Sequence, residues 1–442
     1  MIELLSDTNY LYFIIILIGI GIFTFGSSIY KMLYLIVTPF AYLLLARYFH
    51  FLSEISDDYS LFFIAGLVSL HPILLGKEKK IASLIPIILL PLLFRFRFLD
   101  NWLVVLLYWC TFKLYTWSLS RPANIQQKRL TFLRYKSDIL KLLLFIMFIV
   151  FYSLATRSFD IKPHRVENYV FYSLSLFFML IFIFFNNAAI FFSSFRKYLY
   201  HENISIIFWE LTFDLFILNS KIIKDFNLEL YDADPSFQEG VIALLKILVP
   251  LSITFHLISA LGKKNKKQFM TSILFSQLNF HLLCLIVARN NSVFSELNFY
   301  LFSLLIPYLV LYSAFDNYNP GSPNRILECN FRGLFYKERF ISILIIICLL
   351  SIIGIPFTIG FSSKFFLVVN YVQEKLTTQV ALMLISSIFV LPGSINLISN
   401  LFDKNAENEN TYYMPTSLGK KWAYALLVIL IVFFGIYPKL LI

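Results

Sequence analysis

Apolar runs of about twenty residues follow one another along almost the whole chain, each long enough to cross a hydrocarbon layer of about 30 Å as a helix. In lipid every backbone N–H and C=O must find a partner inside the protein, so a succession of such runs folds as helix after helix. The chain has 442 residues, of which 59% are hydrophobic and 14% charged, an apolar excess that an ordinary soluble domain does not carry. The expected class is therefore all-α, a polytopic membrane helix bundle of about 14 transmembrane helices. The spans are expected near 9–27, 31–50, 60–76, 81–97, 99–119, 139–157, 169–195, 204–222, 239–261, 269–288, 297–315, 340–364, 376–400 and 421–440. Short connections between them leave little chain for a soluble catalytic domain. The first run follows Met1, Glu3 and Asp7 without a basic leader or small-residue cleavage site, and is expected to be a retained span.

The net charge of +11 is distributed as in a membrane protein and not as in a nucleic-acid binder. Basic residues gather in alternate loops: Lys77, Lys79 and Lys80; Arg121, Lys128, Arg129, Arg134 and Lys136; Arg196 and Lys197; Lys263, Lys264, Lys266 and Lys267; Arg325, Arg332, Lys337 and Arg339. The loop at 225–239 instead carries Asp225, Glu229, Asp232, Asp234 and Glu239. This alternation follows the positive-inside rule and, with an even number of spans, puts both termini on the side away from the basic loops.

Chemistry-bearing motifs are few. Cys110, Cys284, Cys329 and Cys348 lie far apart without CxxC spacing, which points to neither a disulfide framework nor a zinc or iron–sulfur site. No glycine-rich nucleotide loop is found.

The stretch LLSIIGIPFTIGFSSKF (349–365) stands out. Gly354, Pro356 and Gly360 loosen a helix at membrane depth, which is tolerated where freed carbonyls line a cavity or meet neighbouring helices. Lys364 follows, although a charge near the bilayer centre costs roughly 2.5 kcal/mol or more. Either it snorkels to an interface or it faces a wet cavity, where lysine can switch between charged and neutral forms.

Other ionisable groups lie within the spans. Glu210 and Asp214 are four residues apart, on one helix face, so in a low dielectric they would share a proton. The same two acids could instead pair with Lys113 or Lys246 as a structural lock. Lys246 lies one turn before Pro250, within snorkelling distance of a loop. His256 and His281 suit a proton relay or simple packing with one hydrogen bond. Lys221 and Lys224, at the end of the eighth span, are expected to be interfacial anchors.

GLFYKERF (333–340) followed by the broken lysine run resembles the proton-antiporter-like membrane subunits of respiratory complex I, most closely the subunit 2 group of NADH dehydrogenase. That group carries an amphipathic GL-x-K approach and a helix of the form LSLxGIPPxxGFxxK. Ser351, Gly354, Ile355, Pro356, Gly360, Phe361 and Lys364 stand on the pattern, and Phe357 replaces a second proline. KKNKKQFMTSILFSQLNFHLL (263–283) is similar to the family's basic turn and SSIxHxGY helix, and GIYP (435–438) to its last helix.

The resemblance implies an antiporter-like fold of inverted repeats, each with one broken helix. It divides the chain into N-terminal helices (1–98), a divergent first repeat (99–238), a second repeat (239–400) and a C-terminal loop and helix (401–442). The first repeat departs from the pattern: Asn186-Asn187 stands where a lysine is expected in 169–195, and Lys113 where the fifth span should carry a glutamate.

The implied function is proton translocation by a membrane-arm subunit of NADH:ubiquinone oxidoreductase, along Lys246, Glu210, Asp214, His281 and Lys364. No cofactor is bound directly in this reading. The implied partners are other membrane-arm subunits, lipids such as cardiolipin, and protons. Fifty Phe and 26 Tyr, with abundant Ile, Asn and Lys, share AT-rich codons and point to an organellar gene, hence to a mitochondrial inner membrane with the termini in the intermembrane space. Another antiporter-like subunit, a free-standing cation/proton antiporter and a non-conducting structural subunit are the alternatives.

Overall fold

The computed structural model describes residues 101–119, 125–161, 166–186, 218–231, 235–261, 266–283, 291–317, 331–403 and 418–438, with 233, 263 and 416 singly. The expected spans before residue 99, and Glu210 and Asp214, lie outside the described residues. Within them the structure is helical: α1 (Trp102–Leu119), α2 (Ile125–Thr156), α3 (Tyr169–Asn186), α4 (Asn219–Tyr231), α5 (Pro235–Leu261), α6 (Lys266–Leu282), α7 (Asn291–Asn317), α8 (Leu334–Lys337), α9 (Arg339–Ile353), α10 (Ile359–Gln373), α11 (Thr377–Leu401) and α12 (Leu418–Ile436). Four stretches are long and apolar enough to cross a membrane: Arg134–Thr156, Pro235–Leu261, Glu296–Phe315 and Thr377–Leu401.

The centre is α7, which is buried throughout from Leu297 to Phe315. Helices α6, α9, α10 and α12 pack around it, and α11 closes against α6, α9 and α10. A helix that is apolar on every side suits that position. Its hydroxyls are absorbed by neighbours, as in the 2.6 Å bond between Ser313 and Tyr424 of α12. Helices α1, α2 and α3 form a second group, joined by edge-on aromatic contacts of Trp102 with Phe148 and of Trp109 with Phe182. The outward faces of α5 and α11 stay apolar, with Ile247, Leu251 and Ile258 on one and Leu384, Ile388 and Ile395 on the other exposed. Lipid, or a neighbouring membrane protein, is the natural solvent for such faces.

The expected twelfth span is two helices. α9 ends at Gly354, whose φ of 92° is open to glycine at little cost, and Gly354 and Ile355 both donate to Leu350 O at 3.0 and 3.1 Å. Phe357, at φ 70°, completes the reversal, and α10 restarts at Thr358 and runs on to Gln373. α12 seals the gap. A Cβ on its Gly435 would lie 2.4 Å from Phe357 O, so only a glycine lets the two backbones touch.

Candidate functional site: a lysine in a helix break

The last carbonyls of a helix have no partner within it and carry its negative end. At the end of α9 that role falls to Lys364, on the second turn of α10. Its ammonium donates to Ile352 O at 2.7 Å, to Ile353 O at 3.2 Å and to Ser387 Oγ of α11 at 3.3 Å. Gly360 allows this approach, donating its N–H to Ser351 Oγ at 3.2 Å where any side chain would strike Ser351. The lysine reaches inward into the break, bridging three helices, and does not run outward to an interface.

A buried polar chain leads to it from the basic loop at 263–267. Lys267, 8% exposed, sits 5.9 Å from the centre of the Tyr312 ring. Thr271 donates to Lys267 O at 2.7 Å and shares a 2.5 Å hydroxyl contact with Tyr312. The Tyr308 ring follows at 6.3 Å, and its hydroxyl donates to Gln277 Oε1 at 3.4 Å. The Gln277 amide then donates to Ile352 O at 3.2 Å, the same carbonyl that accepts from Lys364. Side chains able both to give and to accept hydrogen bonds thus line the way from the basic end to the break. Beyond the break, Ser363 donates to Ser303 at 2.7 Å, and Asn370 donates to Glu296 near the far end of α7.

Of the other expected site residues, His281 is fully buried one turn beyond Gln277 on α6. His256 is packed between the rings of Phe255 and Phe275. Lys246 is not brought to the break: it lies exposed on the outward side of α5, beside Leu244 and Ile247. Both faces of a membrane helix are apolar, so residue spacing did not separate inside from outside there.

The first half holds ionisable groups that the sequence reading missed. The acid for Lys113 comes from α2, where Asp138 lies 3.3 Å from its ammonium. Asp138 also faces Arg134 at 3.6 Å and accepts from Trp117 at 2.9 Å. Lys221 is not an interfacial anchor; it is buried and paired with Asp225 at 3.1 Å. One turn further along α4, buried Glu229 accepts from the hydroxyls of Tyr152 and Tyr172. The four-residue spacing of Lys221, Asp225 and Glu229 was the available signal. Among the described residues no group of His, Cys, Asp and Glu has the makings of a metal site.

Comparison with known proteins bears on this arrangement. Residues 230–390 match the family described as NADH:quinone oxidoreductase/Mrp antiporter, transmembrane. NADH-quinone oxidoreductase subunit N of Blochmanniella floridana is 34% identical over 120 residues, 25% of this chain and 23% of its own length. Subunit N of Ectopseudomonas mendocina is 24% identical over 219 residues, 48% of this chain and 44% of its own. The chain thus matches less than half the length of these curated relatives. A chain of respiratory complex I from Thermus thermophilus superposes with a TM-score of 0.75 at 17% identity, covering 97% of this chain and 98% of that one. The fold is that of antiporter-like membrane subunits. A chain of the Mrp complex from Dietzia sp. DQ12-45-1b shares it, with a TM-score of 0.68 at 13% identity over 86% of this chain and 80% of the other. The matched stretch 230–390 contains the helix break, Lys364 and the polar chain that leads to it, whereas Lys113, Asp138, Lys221 and Glu229 precede it.

Proposed function

We propose that this chain is a proton-translocating, antiporter-like subunit in the membrane arm of an NADH:quinone oxidoreductase. The observation that carries the reading is Lys364, held in a helix break at the inner end of a buried hydroxyl and amide chain that starts at the basic loop. In this reading NADH oxidation and quinone reduction take place on other subunits, and the chain's part is to move protons. A proton entering at Lys267 passes along Thr271, Tyr312, Tyr308 and Gln277, with water filling the gaps, and is taken up by a neutral Lys364. The ammonium so formed is held by Ile352 O and Ile353 O. When the coupled reaction weakens that hold, the proton leaves on the Ser303 and Glu296 side and the amine is restored. His281 stands one turn past Gln277, at the inner end of the path, and Glu210 with Asp214 is the proposed carboxylate pair of the first half. We place Lys246 outside the path.

The proposed partners are the other membrane-arm subunits, seated against the apolar outward faces, with lipid on the remainder. The membrane is an energy-conserving one. The matched relatives are bacterial, and the mitochondrial inner membrane has the AT-rich residue usage behind it. The likeness to the Mrp chain supports a cation/proton antiporter as the second reading.

The test is Lys364→Met beside Lys364→Arg in assembled complexes. Methionine keeps the bulk but cannot carry a proton; arginine keeps the charge but does not release its proton at accessible pH. Both are expected to assemble, to oxidise NADH and to eject fewer protons per NADH than wild type. Full proton ejection by assembled Lys364→Arg would show that Lys364 is a fixed cation and not a carrier.

A further inference from the structure

Lys221, Asp225 and Glu229 lie at i, i+4 and i+8 of α4, so they share one helix face over about 12 Å of rise. All three are buried, at 5, 7 and 2% exposure, against the usual rule that such side chains face water. The row runs from the Lys221–Asp225 pair toward the C-terminal end of α4, away from the basic end of α2. It finishes at two tyrosines, Tyr152 near the end of α2 and Tyr172 at the start of α3.

The bonding at that end is unusual for a structural clamp. A phenol has one proton to donate, yet each hydroxyl here has two acceptors in reach. Tyr152 donates to Glu229 Oε1 at 2.9 Å or to Asp160 O at 2.7 Å. Tyr172 donates to Glu229 Oε2 or to the backbone Glu229 O at 3.1 Å. A charged Glu229 is therefore satisfied by both hydroxyls. A neutral Glu229 is satisfied as well, because the hydroxyls can turn to their backbone acceptors while its own O–H donates to a phenol oxygen. Neither state therefore leaves a buried polar group unpaired, which would be costly. Asp160, whose carbonyl takes part, has an exposed side chain, so the site adjoins the surface.

We infer that Glu229 is the proton-release site of the first half, the last station of a Lys221–Asp225–Glu229 row that opens at Asp160; this rests on the proton-translocating reading above. Lys221 passes a proton to the Asp225 carboxylate and becomes the amine. The Asp225 acid passes it, across one water, to Glu229, and both tyrosine hydroxyls turn away. The proton then leaves to water at the Asp160 end, the Glu229 carboxylate re-forms, the hydroxyls turn back, and the Lys221 amine takes up the next proton from water on the inner side.

The experiment uses the assembled complex in sealed vesicles, with NADH as the driver, a pH-indicating dye inside, and infrared difference spectra on the same samples. Glu229→Gln keeps an acceptor for the tyrosines but carries no proton. Expected are assembly and heat resistance close to wild type, fewer protons ejected per NADH, and loss of a protonated-carboxyl band that Tyr152→Phe shifts. A clamp alone would give the reverse: an unchanged proton ratio and lower heat resistance. Lys364→Met, run in parallel, separates the two readings. If it lowers the ratio while Glu229→Gln does not, this inference fails by itself; if it leaves the ratio unchanged, the translocating reading fails first. Should Glu229→Gln not assemble, the wild-type and Tyr152→Phe spectra decide, and a carboxyl band unmoved by Tyr152→Phe overturns the assignment.

Discussion

Replacing Gly360 by alanine tests the helix break by the smallest change available. A Cβ there would lie 1.9 Å from Ser351 O, 2.8 Å from its carbonyl carbon and 3.0 Å from its Oγ. All three atoms belong to the residue whose hydroxyl accepts the Gly360 N–H, and two are backbone, so the strand of chain itself has to move. Restoring 3.0 Å from 1.9 Å requires a retreat of 1.1 Å. If α10 moves as a unit, Lys364 Nζ goes from 2.7 Å to about 3.8 Å from Ile352 O, beyond hydrogen-bonding range. Overpacking costs about 1–3 kcal/mol and a lost charge-assisted bond about 1.5–3 kcal/mol, so about 2.5–6 kcal/mol is at stake, a large part of a typical stability. Gly240→Ala is the internal control. It lies in α5 with nothing within 4 Å of its Cβ, and alanine should be neutral or help by about 0.5–1 kcal/mol. Membranes carrying each variant are heated in steps, and the fraction of chain still assembled is read on native gels. Gly360→Ala should be lost at clearly lower temperature, and what survives should eject fewer protons per NADH. Equal heat-loss curves for the two alanine variants would refute the argument that the break depends on this backbone contact.

Asp138→Asn removes the acid from a site that also holds Lys113 and Arg134, both almost fully buried. Stranding buried cations costs about 3–5 kcal/mol, so steady-state abundance in membranes should fall sharply, whereas Ser153→Ala on the same helix should leave it near wild type. Topology gives a separate check. Impermeant labelling of single cysteines should find position 264 on one side of the membrane and position 234 on the other; labelling of both from one side would contradict the alternation of loop charge.

How far the sequence revealed the site differs between residues for physical reasons. The break was legible because Gly354, Pro356 and Gly360 each oppose helix continuation locally. What Lys364 holds was not, since Ile352 O and Ile353 O are backbone atoms that every residue possesses, and Gln277 reaches Ile352 O through packing alone. Lys221 was misplaced because an apolar-length criterion closed the eighth span near 222, just where the polar helix Asn219–Tyr231 begins. NSKIIKDFNLELY has too few apolar residues to register as a membrane element; Lys221 and Asp225 pair along the helix, and Glu229 takes its hydroxyls from α2 and α3. Asp138 went unnoticed as the acid for Lys113 because it stands beside a basic stretch that read as a loop and folds as part of the 32-residue α2.

The burial of α7 bears on how the protein is made. Tyr300, Tyr308 and Tyr312 find their partners on α6, made before this helix, whereas Ser303 accepts from Ser363 of α10 and Ser313 meets Tyr424 of α12, so on emerging from the ribosome the helix lacks the partners for that second side. The last of those bonds waits for Tyr424, more than a hundred residues later in synthesis. Until α12 arrives, Gly435 cannot cap the break and α7 has an open side. Biogenesis of this half is therefore a closing step and not a sequence of independent insertions. The interval before closure is when a membrane chaperone would find something to hold and a quality-control protease something to cut.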